Sequence, residues 1–134
     1  MASLYLETSA VLAAVLEQGA DPDLAARVAA ADRLLTSRLS LVETGRAFLR
    51  LRLDGTLTEK DLADAAREAD AIWGRCHIWE LTAGICRNAA SVAPYHRLRT
   101  LDALHLATWL EARRRLGDVE LVTADRRLEE AARV

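Results

Sequence analysis

Between Leu101 and Leu110 the chain reads LDALHLATWL. A helix of this sequence is apolar on nearly every face, so it has no side to give to solvent and is expected at the centre of the fold, packed on by other elements. The rest of the chain says what those elements are. Short apolar runs alternate with helical segments, the pattern of an α/β domain whose mainly parallel sheet lies between layers of helices. Strands are expected at Leu4–Leu6, Leu34–Thr36, Cys76–Leu81 and Val119–Thr123. Helices are expected at Ser9–Glu17, Asp23–Arg33, Ser40–Leu53, Thr58–Gly74, Thr82–Ala93, Thr100–Leu116 and Asp125–Ala132. The breaks carry turn chemistry: Gly19, Asp21 and Pro22, then Asp54-Gly55, Pro94 and Gly117-Asp118, with Thr58 reading as an N-cap.

A chain of 134 residues, 51% of them hydrophobic, is large enough for one stable core, and no repeat, low-complexity tract or linker divides it, so residues 1–134 are expected to form a single domain. Cys76 and Cys86 match neither a CxxC pair nor a zinc framework and read as free thiols, which fits a reducing cytoplasm. Glu7 interrupts the N-terminal apolar run well before signal-peptide length, and no later run is long enough to span a bilayer, so a soluble cytoplasmic protein is expected. The net charge of −2 does not advertise a nucleic-acid binder. Yet the cations are almost all arginine, Lys60 being the one lysine, and arginine grips phosphate bidentately. Arg97/Arg99, Arg113-Arg114-Arg115 and Arg126-Arg127 read either as local basic patches or as solvated helix faces.

Four acids stand where a strand hands over to a helix or a helix begins. Glu7 follows the first strand, Glu43 falls in the first turn after the second, Asp102 opens the apolar helix and Asp125 follows the fourth strand. In parallel sheets the carboxyl ends of strands line the crevice where ligands bind. Acids in first helical turns are also ordinary caps, and Ser40-Leu41-Val42-Glu43 matches a capping box. Asp102 tips the balance, because a carboxylate carried into a buried helix needs compensating partners. A divalent cation would provide them. Clustered carboxylates without cysteine or histidine companions suit Mg²⁺ or Mn²⁺ and not zinc, and the natural reaction of such a site is phosphodiester hydrolysis.

In order and spacing, YLETSAV, SLVETGRAF, LRTLDALHLATW and LVTADRRLEEAA resemble the four signature segments of PIN-domain ribonucleases, above all the VapC-type toxins of bacterial toxin–antitoxin pairs. The resemblance implies a three-layer α/β/α fold and an Mg²⁺- or Mn²⁺-dependent endoribonuclease that leaves 5′-phosphate and 3′-hydroxyl ends on structured RNA such as transfer or ribosomal RNA. It implies inhibition by a cognate antitoxin. It makes Glu7, Glu43, Asp102 and Asp125 the acidic, metal-binding residues, with Thr8, Ser9 and Thr123 orienting them. Arg46, one turn after Glu43, either pairs with that acid or meets substrate phosphate. An apolar helix face left uncovered would be closed by a homodimer. The first acid departs from the family, which has aspartate where this chain has Glu7. The added methylene displaces the carboxylate by more than about an ångström, and catalytic groups tolerate little misplacement. The rival reading is therefore a PIN-fold module that binds RNA or a partner with weak or lost catalysis. A receiver-like signalling domain is excluded by the lack of an acidic pair after the first strand and of a late lysine. His105, a turn beyond Asp102, reads as orienting that acid or as packing, and Trp73, Trp79 and Trp109 as core or as base-stacking groups.

Overall fold

The computed structural model describes residues 2–16 and 22–133. Strand β1 (Ser3–Leu6) leads into α1 (Thr8–Leu16), followed by α2 (Pro22–Ala30), β2 (Arg33–Ser37), α3 (Arg38–Asp54) and α4 (Glu59–Arg75). Strand β3 (His77–Trp79), α5 (Ala83–Ala89), α6 (Thr100–Leu116), β4 (Glu120–Val122) and α7 (Arg126–Ala132) complete the described elements. The strands form one sheet in the order β3-β2-β1-β4, every pairing parallel.

Every residue of β1 is buried, as befits a central parallel strand covered on both faces. Its two-residue period divides the interior. Leu4 and Leu6 enter one core with Val11 of α1, Leu24 and Val28 of α2, and Ala69 and Trp73 of α4. Tyr5 enters the other, with Leu106, Trp109 and Ala112 of α6 and Leu128 and Ala131 of α7. Strand β2 repeats the division with Leu34 and Leu35. Helix α3 packs against α1 and α4, and α5 against α6, which gives the α/β/α layering expected of the sequence. The LDALHLATWL helix is buried from His105 to Trp109, as its composition required.

The strand order positions the crevice. From β1 the chain steps outward through β2 to β3, then returns to place β4 on the other side of β1, so the order reverses between β1 and β4. Ligand crevices form outside the carboxyl ends of strands at such a reversal. Here the Glu7 amide donates to the Val122 carbonyl at 3.0 Å, holding the two strand ends together.

Several boundaries moved for identifiable reasons. Helix α3 starts before Ser40 because the Ser37 hydroxyl accepts from the Leu39 amide at 3.0 Å. Ser40 instead accepts from the Thr36 hydroxyl at 2.7 Å, so the expected Ser40–Glu43 capping box does not form and Glu43 lies in the second turn. Helix α2 stops at Ala30 rather than Arg33 because the amides of Asp32 and Arg33 are claimed by the Ala2 carbonyl as β2 joins β1. Helix α5 ends at Ala89, ahead of Ala93, whose backbone is left-handed with φ 47°. Thr58 caps α4 as expected, accepting from the Asp61 amide at 3.0 Å. Gly55, at φ 68°, supplies the left-handed C-cap of α3. The expected end of the first helix at Glu17 and the Gly19–Asp21 break lie outside the described residues.

Trp73 and Trp109 are core residues, their indole N–H groups donating to Thr44 Oγ1 at 3.1 Å and to the Val119 carbonyl at 2.8 Å. The Arg113–Arg115 run is a helix face occupied by its own neighbours: Arg114 and Arg115 pair with Glu111, and Arg113 lies over Trp109. Cys76 and Cys86 are free, and burial pushes the Cys76 thiol up to about 12. No helix among the described residues is long and apolar enough to cross a membrane.

Leu106 is 1% exposed, so Leu106→Ala is expected to cost about 2–5 kcal/mol in urea denaturation. Thr58→Ala, which only removes a cap, is expected to cost about 1 kcal/mol by the same measurement.

Candidate functional site

Glu7 is the first residue beyond β1, is 5% exposed, and is a carboxylate that must be satisfied where it stands. Its Oε2 accepts from the Ser9 amide at 3.1 Å, from the Ser9 hydroxyl and from the Thr123 hydroxyl at 2.8 Å. Thr123 in turn accepts from the Asp125 amide at 3.0 Å, and Ser9 Oγ from the Ala124 amide at 3.0 Å. These short polar side chains stitch the end of β1 to the end of β4. Asp125 is the N-cap of α7, its Oδ1 accepting from the Arg127 amide at 2.9 Å and from that of Leu128 at 3.4 Å.

Glu43 approaches from α3. Its Oε1 accepts from the Thr8 hydroxyl at 2.6 Å and from His105 Nε2 at 2.6 Å. His105 is fully buried and its Nδ1 is bonded to the Tyr5 hydroxyl at 2.8 Å. Glu43, Asp102 and Asp125 line one cleft of about 540 Å³ together with Arg99, Thr100, Leu101 and Arg127. Glu7 is not among the residues that line this cleft; it lies beside Glu43, the two offering oxygens within 4.8 Å of each other, so Glu43 links the first acid to Asp102 and Asp125, and Thr8, Ser9 and Thr123 are bonded to the two glutamates. Arg46 is not part of this assembly. It is exposed and, among the described residues, makes no ion pair, so the expected pairing with Glu43 is replaced by the bonds from Thr8 and His105.

Asp102 corrects a further expectation. The first turn of α6 emerges from the core into the cleft, leaving Asp102 half-buried and Leu101 45% exposed. Partial burial, then the neighbouring Asp125 charge and that of Glu43, raise the Asp102 pKa, against opposing pulls from His105 and the Arg99 backbone. At Glu43 burial also pushes upward, but the hydrogen bonds from His105 and Thr8 and the electrostatic pull of the nearby His105 ring outweigh it, so its pKa is lowered. His105 therefore serves Glu43 and not Asp102, its neighbour on the helix. The Tyr5–His105 contact has no local signature beyond the strand alternation that puts Tyr5 on the α6 side of the sheet.

These acids suit a hard divalent cation. Glu7, Glu43 and His105 each offer an atom such that all three lie within 4.8 Å of one another. Among the described residues, Oε1 of Glu7, Oε2 of Glu43 and Oδ2 of Asp125 receive no protein hydrogen bond, so each acid retains an oxygen for a ligand. Oxygen donors with like-charge crowding at Asp102 fit a hard divalent cation.

Residues 4–134 match the PIN domain family. The chain is 37% identical over 131 residues to ribonucleases VapC45 and VapC49 of two Mycobacterium tuberculosis strains, covering 96% of this chain and 81% of each relative. The same fold occurs in the crystal structure of PAE2754 from Pyrobaculum aerophilum, with a TM-score of 0.68, 20% identity, and coverage of 97% of this chain and 79% of that one. It also occurs in VapBC2 from Rickettsia felis bound to a DNA fragment from their promoter, with a TM-score of 0.57, 12% identity, and coverage of 91% and 98% respectively.

The raised Asp102 pKa means that its charge opposes folding as pH rises through the carboxylate range. In chelator, Asp102→Asn is expected to raise Tm at pH 7, where the native carboxylate is ionised and repelled, and to leave it unchanged near pH 3, where it is protonated. Thermal melts at the two pH values check this.

Proposed function

From the premise that this chain belongs to the PIN-domain family as a VapC-type ribonuclease, we propose that it is a divalent-metal-dependent endoribonuclease, the toxin of a toxin–antitoxin pair, with Glu7, Glu43, Asp102 and Asp125 as its active-site acids. The observation that carries the reading is the convergence of these acids at the β1/β4 reversal, three of them held through one oxygen with the other left available. A bound Mg²⁺ or Mn²⁺ would supply a more acidic water and offset the negative charge that develops on the phosphoryl oxygens.

The residues divide the remaining work. Glu7, Asp102 and Asp125 would hold the cation. Glu43, with Oε1 taken, presents Oε2 to the cation or to the attacking water. Thr8, Ser9 and Thr123 keep the two glutamates in place, since such outer partners fix ligand orientation. Arg99 and Arg127 share the cleft with the acids and bind phosphates flanking the scissile one, while exposed Arg46 extends this contact along the RNA. The glutamate in place of the family's aspartate supports a working variant: its longer side chain makes the bonds to Ser9 and Thr123. The proposed substrate is structured RNA, transfer or ribosomal, cut to 5′-phosphate and 3′-hydroxyl ends in the cytoplasm. The Rickettsia felis neighbour is a VapBC2 assembly, which supports a VapB-type antitoxin as partner, with a homodimer of this chain within the complex.

Antitoxin-free protein incubated with total cellular RNA and Mn²⁺ is expected to give discrete products, to stop with chelator and to be silent as Asp102→Asn. Cleavage by Glu7→Asp alone would instead mark Glu7 as a damaged ligand, and metal binding without cleavage in any form would favour the binding-module reading. Arg99→Ala and Arg127→Ala are each expected to lower the salt dependence of RNA binding by about one unit of slope, read from fluorescence titrations at several salt concentrations.

A further inference from the structure

A histidine that is fully buried needs both ring nitrogens satisfied, and main-chain carbonyls or water would do so at any core position. His105 takes neither. Its partners are the Tyr5 hydroxyl at 2.8 Å on Nδ1 and Glu43 Oε1 at 2.6 Å on Nε2, with the Thr8 hydroxyl also 3.4 Å from Nε2, and Tyr5 itself is 0% exposed behind it. A tyrosine hydroxyl can donate or accept, but a carboxylate oxygen only accepts, so in the neutral ring Nε2 carries the proton toward Glu43 and Nδ1 accepts from Tyr5. Thr8 donates to the same oxygen at 2.6 Å. The start of α1 and the middle of α6 thus meet at one atom of one side chain from α3, with Tyr5 of β1 bonded to the histidine behind it.

We propose that Tyr5 and His105 are positioning residues for Glu43: Tyr5, donating to Nδ1, holds the ring proton on His105 Nε2, and His105 with Thr8 occupies Glu43 Oε1 so that Oε2 alone is left for a cation or water. The role given to Oε2 rests on the nuclease reading above. The chain of bonds does not. The inference also removes His105 from the ligand set, although a ring nitrogen of His105 lies within 4.8 Å of candidate atoms of Glu7 and Glu43, because Nε2 donates its proton to a carboxylate and Nδ1 is taken by Tyr5, leaving neither a lone pair to give a metal. The β1 alternation acquires a second purpose. Tyr5 is a core residue of the α6 side, and it anchors a polar chain that ends in the cleft.

The test begins with the ring, in the full chain without added cations, by two-bond ¹H–¹⁵N NMR. His105 is expected in the Nε2–H tautomer and to keep that proton when Mg²⁺ is added to saturation. An Nδ1–H tautomer, or loss of the Nε2 proton on adding Mg²⁺, overturns the proposal, the latter by making His105 a ligand. Mn²⁺ affinity is then measured by titration in variants whose folding is checked by melts. His105→Ala is expected to bind Mn²⁺ roughly 10–100-fold more weakly, the usual cost of losing an outer-shell partner. His105→Gln, whose amide can donate to Oε1, is expected to recover most of that loss. Tyr5→Phe, which deletes one oxygen and no apolar volume, is expected to mix the tautomers and weaken Mn²⁺ binding less. Equal weakening by His105→Ala and His105→Gln, with both folded, overturns positioning through the hydrogen bond. If His105→Ala does not fold, Tyr5→Phe decides: a tautomer unchanged from wild type refutes the proposal. Should Glu43→Gln leave Mn²⁺ affinity intact, the metal role of Glu43 fails, and the tautomer experiment still judges the Tyr5–His105 lock separately.

Discussion

Like charges repel, and this fold brings four carboxylates to one end of a narrow sheet. The rest of the site follows from how that repulsion is managed. Glu7 is held by Ser9 and Thr123, Glu43 by Thr8 and His105, and Asp125 by the first amides of α7, whereas Asp102 feels only the pull of the nearby Arg99 backbone and the His105 ring. Hydrogen bonds to charged groups are worth about 1.5–3 kcal/mol each, which offsets part of the cost of crowding carboxylates at the edge of a protein interior. The protection is unequal. Glu43 is driven toward the charged form, whereas Asp102, with the fewest donors and two acidic neighbours, is driven away from it. A cation entering the cleft would be attracted most where repulsion is least relieved.

The donors reach the acids because of the sheet. A central parallel strand buried on both sides separates its residues by parity, and β1 uses both parities: leucines toward α1, α2 and α4, tyrosine toward α6 and α7. The reversal of strand order beside β1 brings Thr123 and Asp125, which are more than a hundred positions away in the chain, against Glu7 and Ser9. Structural and chemical roles coincide at these points. Asp125 caps a helix and lines the cleft, and Ser9 satisfies a loop amide while holding Glu7.

Much of this was legible beforehand where the signal is local. The all-apolar character of α6, the caps at Thr58 and Asp125, and the stop at Asp54-Gly55 depend on neighbouring residues, and they appear as read. The misreadings involve competition for one group. Ser40 has the spacing of a capping box with Glu43, but Ser37 reaches the helix amides first and Thr36 takes the Ser40 hydroxyl. His105 sits a turn from Asp102 on its helix, yet its ring turns toward α3 and β1, where Glu43 and Tyr5 wait.

What the order of residues determined by itself was the kind of fold, the order and approximate place of its elements, and the four acids as the unusual charges near strand ends and helix starts. Periodicity and capping act over a few residues, so they survive in the one-dimensional pattern. Tertiary structure alone decided which donor holds which acid, that Arg99 and Arg127 share the cleft while Arg46 stands apart, and that a buried tyrosine and histidine end on Glu43. Those pairings are set by strand order and by the burial of both faces of β1, which join distant segments through contacts that leave no mark on local spacing.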